Sequence, residues 1–328
     1  MARRSEARTC ANSSGHRSQS VVSTPESSEP NVNVIIPPVP PKGSRVHIVA
    51  PSGPFDRSLF WRALGWLARH FRPHFARSIF ERESFWAGTD ERRRLEFQSA
   101  LDDPEATAII VTRGGWGAAR FANALDYSGF LDRPKWLVGF SDPTILHMRS
   151  WQLGIASIHA SNLVALGRAD DEARSEWLNA LNSPMKPRVL SGDSLSRGRA
   201  TGTLVGGNLT VLLSGLSAGN LRFPDRCILA LEDVTESSYR IDRMMCALVG
   251  SGVMDRVAAV ALGEFVDCDP GIHGTSVDHV LAKHLRPMGI PVVRNLPFGH
   301  GRRNSPLLFG IPAVLDGDQG QLRLGAIL

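Results

Sequence analysis

Trp136-Leu137-Val138-Gly139-Phe140-Ser141-Asp142-Pro143-Thr144 joins a buried strand to a helix with almost no chain between them. The apolar run ends at Gly139, a serine stands at the corner, and Asp142 and Pro143 open a helix through Ile145, Leu146 and Met148. Proline suits the first helical turn because its missing N–H is not needed there, and an acidic residue suits the positive end of the helix dipole. Such a corner presents a hydroxyl beside free backbone N–H groups, as a nucleophile elbow does. It is not the G-x-S-x-G fingerprint, and on this stretch alone a simple helix-capping role for Ser141 is the favoured reading.

Working outward, the same strand-then-helix unit repeats. Arg45–Ala50 reads as a strand, with a turn at Pro51-Ser52-Gly53-Pro54 and a helix from Arg57 to Arg69. Phe75–Phe80 reads as a second strand. Asp90 is placed to cap a helix over Glu91–Leu101, and Thr107–Val111 is a third strand running into Arg113-Gly114-Gly115-Trp116-Gly117 and a helix to Leu125. After the corner come a helix over Pro143–Leu153 and a short strand at Ile155–Ile158. Strands alternating with helices at this spacing specify an α/β fold with a mostly parallel sheet flanked by helices.

The pattern turns polar between Leu163 and Arg199 and then resumes. Gly206-Gly207-Asn208-Leu209 reads as a helix start with Asn208 as cap, and Cys227–Leu231 as a strand running into Glu232-Asp233. Helices over Tyr239–Val249 and Val277–Leu285 and strands at Val257–Leu262 and Pro291–Arg294 follow. The end of the chain, broken by Gly310, Pro312, Gly317 and Gly320, suits antiparallel strands. The division expected is a disordered tail over residues 1–43, an N-terminal α/β domain over 44–162, a linker over 163–200 and a C-terminal domain over 201–328. Asn12–Ser28 has too little apolar surface to order itself.

Composition narrows the function classes. Across 328 residues, 42% hydrophobic and 21% charged content are those of a globular protein with a core large enough to need no staples. Cys10, Cys227, Cys246 and Cys268 form no C-x-x-C pair, so neither a zinc knuckle nor a redox motif is read, and a reducing compartment is expected. The net charge of +5 comes with no dense basic block interleaved with aromatics, so no nucleic-acid partner is expected. No apolar run is long enough to span a membrane, and the polar stretch after Met1-Ala2-Arg3-Arg4 lacks the apolar segment of an export signal.

Three polar residues stand at or beyond apolar strand ends: Ser141, Glu232 and His300, the last within Leu296-Pro297-Phe298-Gly299-His300-Gly301. A hydroxyl, an imidazole and a carboxylate make a nucleophile, a general base and an orienting group. A surface-loop histidine is the competing reading of His300, and Asp233 and Glu236 compete for the carboxylate role. The glycine loop after Val111 can aim N–H groups at an oxyanion; as a phosphate cradle it matches neither G-x-x-x-x-G-K-[ST] nor G-x-G-x-x-G. Tyr239, Asp242 and Arg243 read as a network on one helix face.

These motifs, in this order, resemble the LD-carboxypeptidase family of serine peptidases. The likeness rests on Ala50–Pro54, Arg113–Gly117, Gly139–Asp142, Gly206–Leu209, Leu231–Asp233 with Tyr239–Arg243, and Gly299-His300, and covers Arg45 to Leu328. The resemblance implies a smaller C-terminal domain, a homodimer, a cytoplasmic setting and a metal-independent, cofactor-free serine mechanism. It implies Ser141 as nucleophile, His300 as base, Glu232 as the carboxylate, and the N–H groups of Gly115 and Asp142 as the oxyanion hole. The implied reaction releases terminal D-alanine from murein tetrapeptides in peptidoglycan recycling. Alternatives are a microcin-immunity-type peptidase acting on peptide–nucleotide conjugates, with Trp116 as stacking platform, and a non-catalytic muropeptide-binding module. Arg113, Arg302 and Arg303 are candidates for holding the substrate carboxylate. Ala160-Ser161 and Leu307-Leu308-Phe309-Gly310 depart from the family's usual Gly-Pro and Leu-Pro-Leu-Gly.

Overall fold

Alternating strand residues send side chains to opposite faces, and β-strands built from Val, Ile and Leu on both faces need cover on both. The computed structural model, which describes residues 34–272 and 274–326, meets that demand with two sheets and surrounding helices. In chain order the elements are β1 (Arg45–Val49), α1 (Arg57–Leu67), β2 (Arg72–His74), α2 (Asp90–Asp102), β3 (Ala106–Val111), α3 (Ser128–Asp132), β4 (Trp136–Gly139), α4 (Thr144–Gln152), β5 (Ser157–His159), α5 (Leu163–Leu166), α6 (Asp171–Asn182), β6 (Arg188–Ser191), β7 (Asp193–Ser196) and β8 (Arg199–Asn208). They continue with α7 (Leu209–Ser217), β9 (Cys227–Val234), α8 (Ser238–Gly250), β10 (Val257–Val266), α9 (Val277–Leu285), β11 (Val292–Arg294), β12 (Leu307–Phe309), β13 (Pro312–Asp316) and β14 (Gln321–Leu324).

The first sheet has the order β12-β5-β4-β3-β1-β2. It is parallel except for β12, which returns from the far end of the chain to lie antiparallel to β5. The second sheet has the order β6-β14-β13-β8-β9-β10-β11-β7, with β8 to β11 parallel and the flanking pairs antiparallel. The fold is α/β, with a mostly parallel first sheet and antiparallel strands in the second.

The pleat sorts neighbouring residues into different cores. In β3, Ile109 faces a core shared with Leu146, Leu212, Leu229 and Leu231, while Ile110 faces Phe60, Leu67 and Trp177. Each such side chain, fully buried, contributes roughly 1.5–3 kcal/mol of transfer free energy. The first core therefore joins both sheets through α4 and α7. A third core covers the other face of the second sheet, and Leu307 and Phe309 of β12 belong to it while Leu308 packs in the second.

Several local expectations shift. The strand expected at Phe75–Phe80 is instead β2 at Arg72–His74 followed by a 3-10 turn over Arg77–Phe80. Its aromatic residues pack as a cluster, with Phe60 5.3 Å from Phe75 and 5.1 Å from Phe80 between ring centres. The cap of α2 is Thr89, whose hydroxyl accepts from the N–H of Arg92, so Asp90 is the first helical residue. The helix expected up to Leu125 is two short 3-10 turns. Residues 163–200 contain α5, α6, β6 and β7. Residues 34–43 lie against the first sheet: Ile35 exchanges hydrogen bonds with Gly154 and Ala156, and Trp136 donates from Nε1 to the carbonyl of Pro38. The rest of the expected tail, residues 1–33, lies outside the described residues.

The sheets are locked near the site by a close approach that only glycine permits. Gly206 and Gly207 end β8 with φ of +133° and +130°, and a Cβ on Gly207 would stand 2.4 Å from Oγ1 of Thr144, the first residue of α4. That same Oγ1 accepts a hydrogen bond from the N–H of Asn208 at 3.0 Å. Gly207→Ala adds overpacking to a strained φ and is expected to lower stability by about 2–4 kcal/mol. Urea unfolding checks this, and a loss below about 0.5 kcal/mol would show that the contact yields freely.

Candidate active site

The corner after β4 carries Ser141 in the left-handed region, at φ +72°. A non-glycine residue held there costs about 1–3 kcal/mol of strain and persists only where its surroundings over-determine it. Here they do. The side chain of Asn162 clamps the preceding residue on both sides, accepting from the N–H of Phe140 at 3.1 Å and donating to its carbonyl at 3.2 Å. The carbonyl of Gly139 accepts from Nε2 of His147 and from the N–H of Ala160. Because a carbonyl can only accept, His147 carries its proton on Nε2, and Nδ1 accepts from the Ser157 hydroxyl at 2.9 Å. Burial lowers the His147 pKa to about 4, so the ring stays neutral and this pattern holds at ordinary pH. The Ser141 side chain does not cap α4; Pro143 occupies the cap position, and Ser141 supplies only its carbonyl, to the N–H of Thr144.

The glycine loop after β3 comes to this corner from the adjacent strand. A Cβ on Gly114 would lie 2.7 Å from the Ser141 Cβ and 2.8 Å from its Oγ, so the backbone passes against the hydroxyl only because no side chain intervenes. Asp142 ties the loop down. Its buried carboxylate accepts from the N–H of Ala118 at 2.8 Å. The turn at Pro51–Gly53 braces the other side, with the N–H of Gly53 donating to the Gly114 carbonyl at 3.0 Å. The N–H groups of Gly115 and Asp142 have no protein acceptor among the described residues.

Burial raises the Asp142 pKa from 3.8 to about 6. The folded chain therefore binds this proton more tightly than the unfolded chain. The associated stability is full below about pH 4 and is lost as the pH rises through about 6, leaving a buried carboxylate charged near neutrality. Asp142→Asn keeps an acceptor for Ala118 without the charge. Relative to wild type, the variant is expected to gain stability by roughly 1–3 kcal/mol on going from about pH 4 to about pH 7. Urea unfolding at the two pH values reads the difference, and an unchanged difference would place the titration elsewhere.

From the second sheet, β9 carries Glu232, which is fully buried, and the loop after β11 carries His300. His300 Nδ1 lies 2.6 Å from Glu232 Oε2. A carboxylate facing an imidazole fixes the proton on Nδ1 and leaves Nε2 as the free, basic nitrogen. The His300 ring stands 4.7 Å from the ring of Phe140, the residue before Ser141. Of the competing acids, Asp233 is used elsewhere: it accepts from Asn208 Nδ2 and from the N–H and hydroxyl of Thr210. Glu236 pairs with Arg240. Asn208 also caps α7 by accepting from the N–H of Val211, so one asparagine joins the cap, Thr144 and the strand of Glu232.

Phe140 and His300 line a cavity of about 870 Å³ together with Arg168, Glu264, Arg302 and Arg303. A serine at a strained corner, a histidine facing a buried carboxylate, and N–H groups without a protein acceptor at the corner and on the adjacent loop are the kinds of group that acyl transfer uses. Residues 46–160 match the LD-carboxypeptidase N-terminal domain and residues 201–315 the LD-carboxypeptidase C-terminal domain. The chain belongs to the LD-carboxypeptidase family. Membership makes it a serine-type peptidase. It is 38% identical over 290 residues to a provisionally named carboxypeptidase of Synechocystis sp., covering 85% of this chain and 94% of the relative. It is 31% identical over 293 residues to the murein tetrapeptide carboxypeptidase of Pseudomonas aeruginosa, covering 85% and 95%. Among solved structures, the muramoyltetrapeptide carboxypeptidase of Oxalobacter formigenes superposes with a TM-score of 0.77 at 28% identity, covering 86% of this chain and 99% of the other. The microcin C7 self-immunity protein MccF shares the fold, with a TM-score of 0.81 at 20% identity over 89% and 98% of the two chains.

Within this LD-carboxypeptidase-family chain the remaining sequence candidates separate. Arg302 and Arg303 line the cavity, and Arg303 pairs with Glu172 while Arg302 has no ion-pair partner among the described residues. Arg113 is exposed and donates to the Pro54 carbonyl. Trp116 lines a different cavity, of about 250 Å³, with Arg120, Asn123 and Ile145. Sequence reading missed Asn162 and His147, whose roles are to hold backbone, and Arg168 and Glu264 in the cavity wall. An asparagine or histidine whose partner is a main-chain group leaves no spacing signal. No helix among the described residues is long and apolar enough to cross a membrane.

Proposed function

We propose that this protein is an LD-carboxypeptidase that hydrolyses the L,D-peptide bond at the end of a murein-type tetrapeptide and releases D-alanine. The observation that carries the reading is the pairing of His300 with the buried Glu232, 2.6 Å apart, beside the Ser141 corner through contact with Phe140. The names of the Pseudomonas aeruginosa and Oxalobacter formigenes relatives support the substrate class. Ser141 Oγ attacks the carbonyl while His300 Nε2 takes its proton. Glu232 stabilises the imidazolium, and the N–H groups of Gly115 and Asp142 hold the oxyanion. His300 then gives the proton to the leaving amine. Water attacks the acyl-enzyme by the same route and frees the carboxylate and Ser141. Arg302, and Arg168 beside it in the cavity wall, are suited to hold the terminal carboxylate of the substrate. A cytoplasmic homodimer acting in peptidoglycan recycling belongs to the same reading.

The test is release of D-alanine from a tetrapeptide by the purified full chain, with and without a chelator, against a tetrapeptide ending in L-alanine. Release from the D-ended peptide alone, unaffected by chelator, is expected. Equal cleavage of both peptides, or of neither, would overturn the substrate assignment. Preferred cleavage of a peptidyl-nucleotide conjugate would move it to the alternative class.

A further inference from the structure

Away from the serine corner, two helices of the second half bring together three different metal-binding side chains. Asp242 and Cys246 are four residues apart on α8 and so share one helix face. His284 stands in the last turn of α9. Its Nε2 lies 2.8 Å from Asp242 Oδ1, and the carboxylate, imidazole and thiol donor atoms all fall within 4.8 Å of one another. Asp242 and His284 are half-buried and Cys246 is exposed, so the cluster opens to water on one side. None of the three lines the cavity at His300 or takes part in the serine site.

We infer that Asp242, Cys246 and His284 form a zinc site that ties α8 to α9, independent of the reaction at Ser141. One oxygen, one sulfur and one nitrogen donor, with solvent for a fourth position, match the tetrahedral preference of zinc. Magnesium and calcium take oxygen-rich shells and have no use for a thiolate. Bond lengths of about 2.0–2.3 Å place ligand atoms of a tetrahedral zinc roughly 3.3–3.8 Å apart. The cluster reaches that by side-chain adjustment on exposed helix faces: the Asp242–His284 contact opens and the thiol closes in. Binding displaces the Cys246 thiol proton to solvent, while the neutral His284 imidazole binds through Nε2 with its proton carried on Nδ1. The net charge of the cluster, ion included, is then that of a divalent cation against one thiolate and one carboxylate.

The probe is cobalt(II), followed by zinc competition, on the full chain after chelator treatment and dialysis. The expected result is one equivalent of cobalt bound per chain with a thiolate-to-cobalt charge-transfer band and intense visible d–d bands, both abolished by zinc. Cys246→Ser is expected to remove the charge-transfer band, and His284→Gln to weaken binding by at least about tenfold, the range seen when even outer-sphere partners of metal ligands are lost. Zinc is expected to raise the melting temperature of wild type but of neither variant, while magnesium raises none. Cys246 is exposed and His284 half-buried, so far-ultraviolet circular dichroism confirms that each variant is folded before its spectrum is compared. Absence of binding, binding unchanged in both folded variants, or a spectrum without a thiolate band would overturn the site. D-alanine release has no part in these readouts, so failure here and failure of the peptidase reading are separable.

Discussion

Ser141→Ala is expected to lower kcat by roughly 10⁴-fold or more while leaving the chain folded, because in the proposed mechanism the hydroxyl oxygen forms the bond to substrate and the other groups then act on nothing. Release of D-alanine from a tetrapeptide measures it, and a variant that turns over at the wild-type rate would remove Ser141 from the mechanism. The corner geometry adds a second, independent expectation. At φ +72°, alanine suffers the same clash as serine, whereas glycine does not. Ser141→Gly is therefore expected to be as inactive as Ser141→Ala yet more stable than it by about 1 kcal/mol, less the entropy that glycine loses on folding. If Ser141→Gly were markedly the less stable of the two, the corner would not be holding strain.

Glu232→Gln keeps the size of the side chain and removes its charge. The carboxylate is fully buried and faces His300 Nδ1 at 2.6 Å, and in the proposed mechanism it is the counter-charge for the imidazolium formed each time Ser141 is activated. An amide can present its oxygen or its NH₂ to Nδ1; the second choice puts the proton on Nε2 and blocks the base. A fall in kcat of about 10³–10⁴-fold is expected, with KM changed far less, since the substrate does not touch Glu232 in the proposed mechanism. The comparison with Asp233→Asn is informative. Asp233 holds Asn208 and Thr210, so its loss is expected to act on stability more than on kcat. Equal kinetic effects from the two would mean that Glu232 acts by packing alone.

The alternation of strands and helices was legible because each element's period is local: two residues for a strand face, 3.6 for a helix face. It failed where packing, not period, decides. Phe75 and Phe80 look like strand residues but close an aromatic cluster around Phe60, and the strand is Arg72–His74, paired to β1. β6 and β7 escaped because both are edge strands, one neighbour each, with exposed polar residues that leave little apolar alternation. For β12 a short antiparallel strand from Leu307 was legible, and only its partner was not. Nothing local in Leu307-Leu308-Phe309 says that it pairs with β5, about 150 residues earlier in the chain, rather than with the strands around it.

The site divides in the same way. The sequence alone determined that a serine follows a buried strand, that a glycine loop ends the strand before it, and that an acid and a glycine-flanked histidine come later, because these are statements about neighbours along the chain. Which acid faces the histidine was decided only by the tertiary structure. Glu232 and Asp233 are adjacent, and the pleat sends one toward His300 and the other toward Asn208. The strain at Ser141, the clamp from Asn162 and the meeting of Asp242, Cys246 and His284 are likewise tertiary. Each depends on backbone or side-chain groups brought together from separate segments, and a distance between segments is fixed by how the sheets and helices pack.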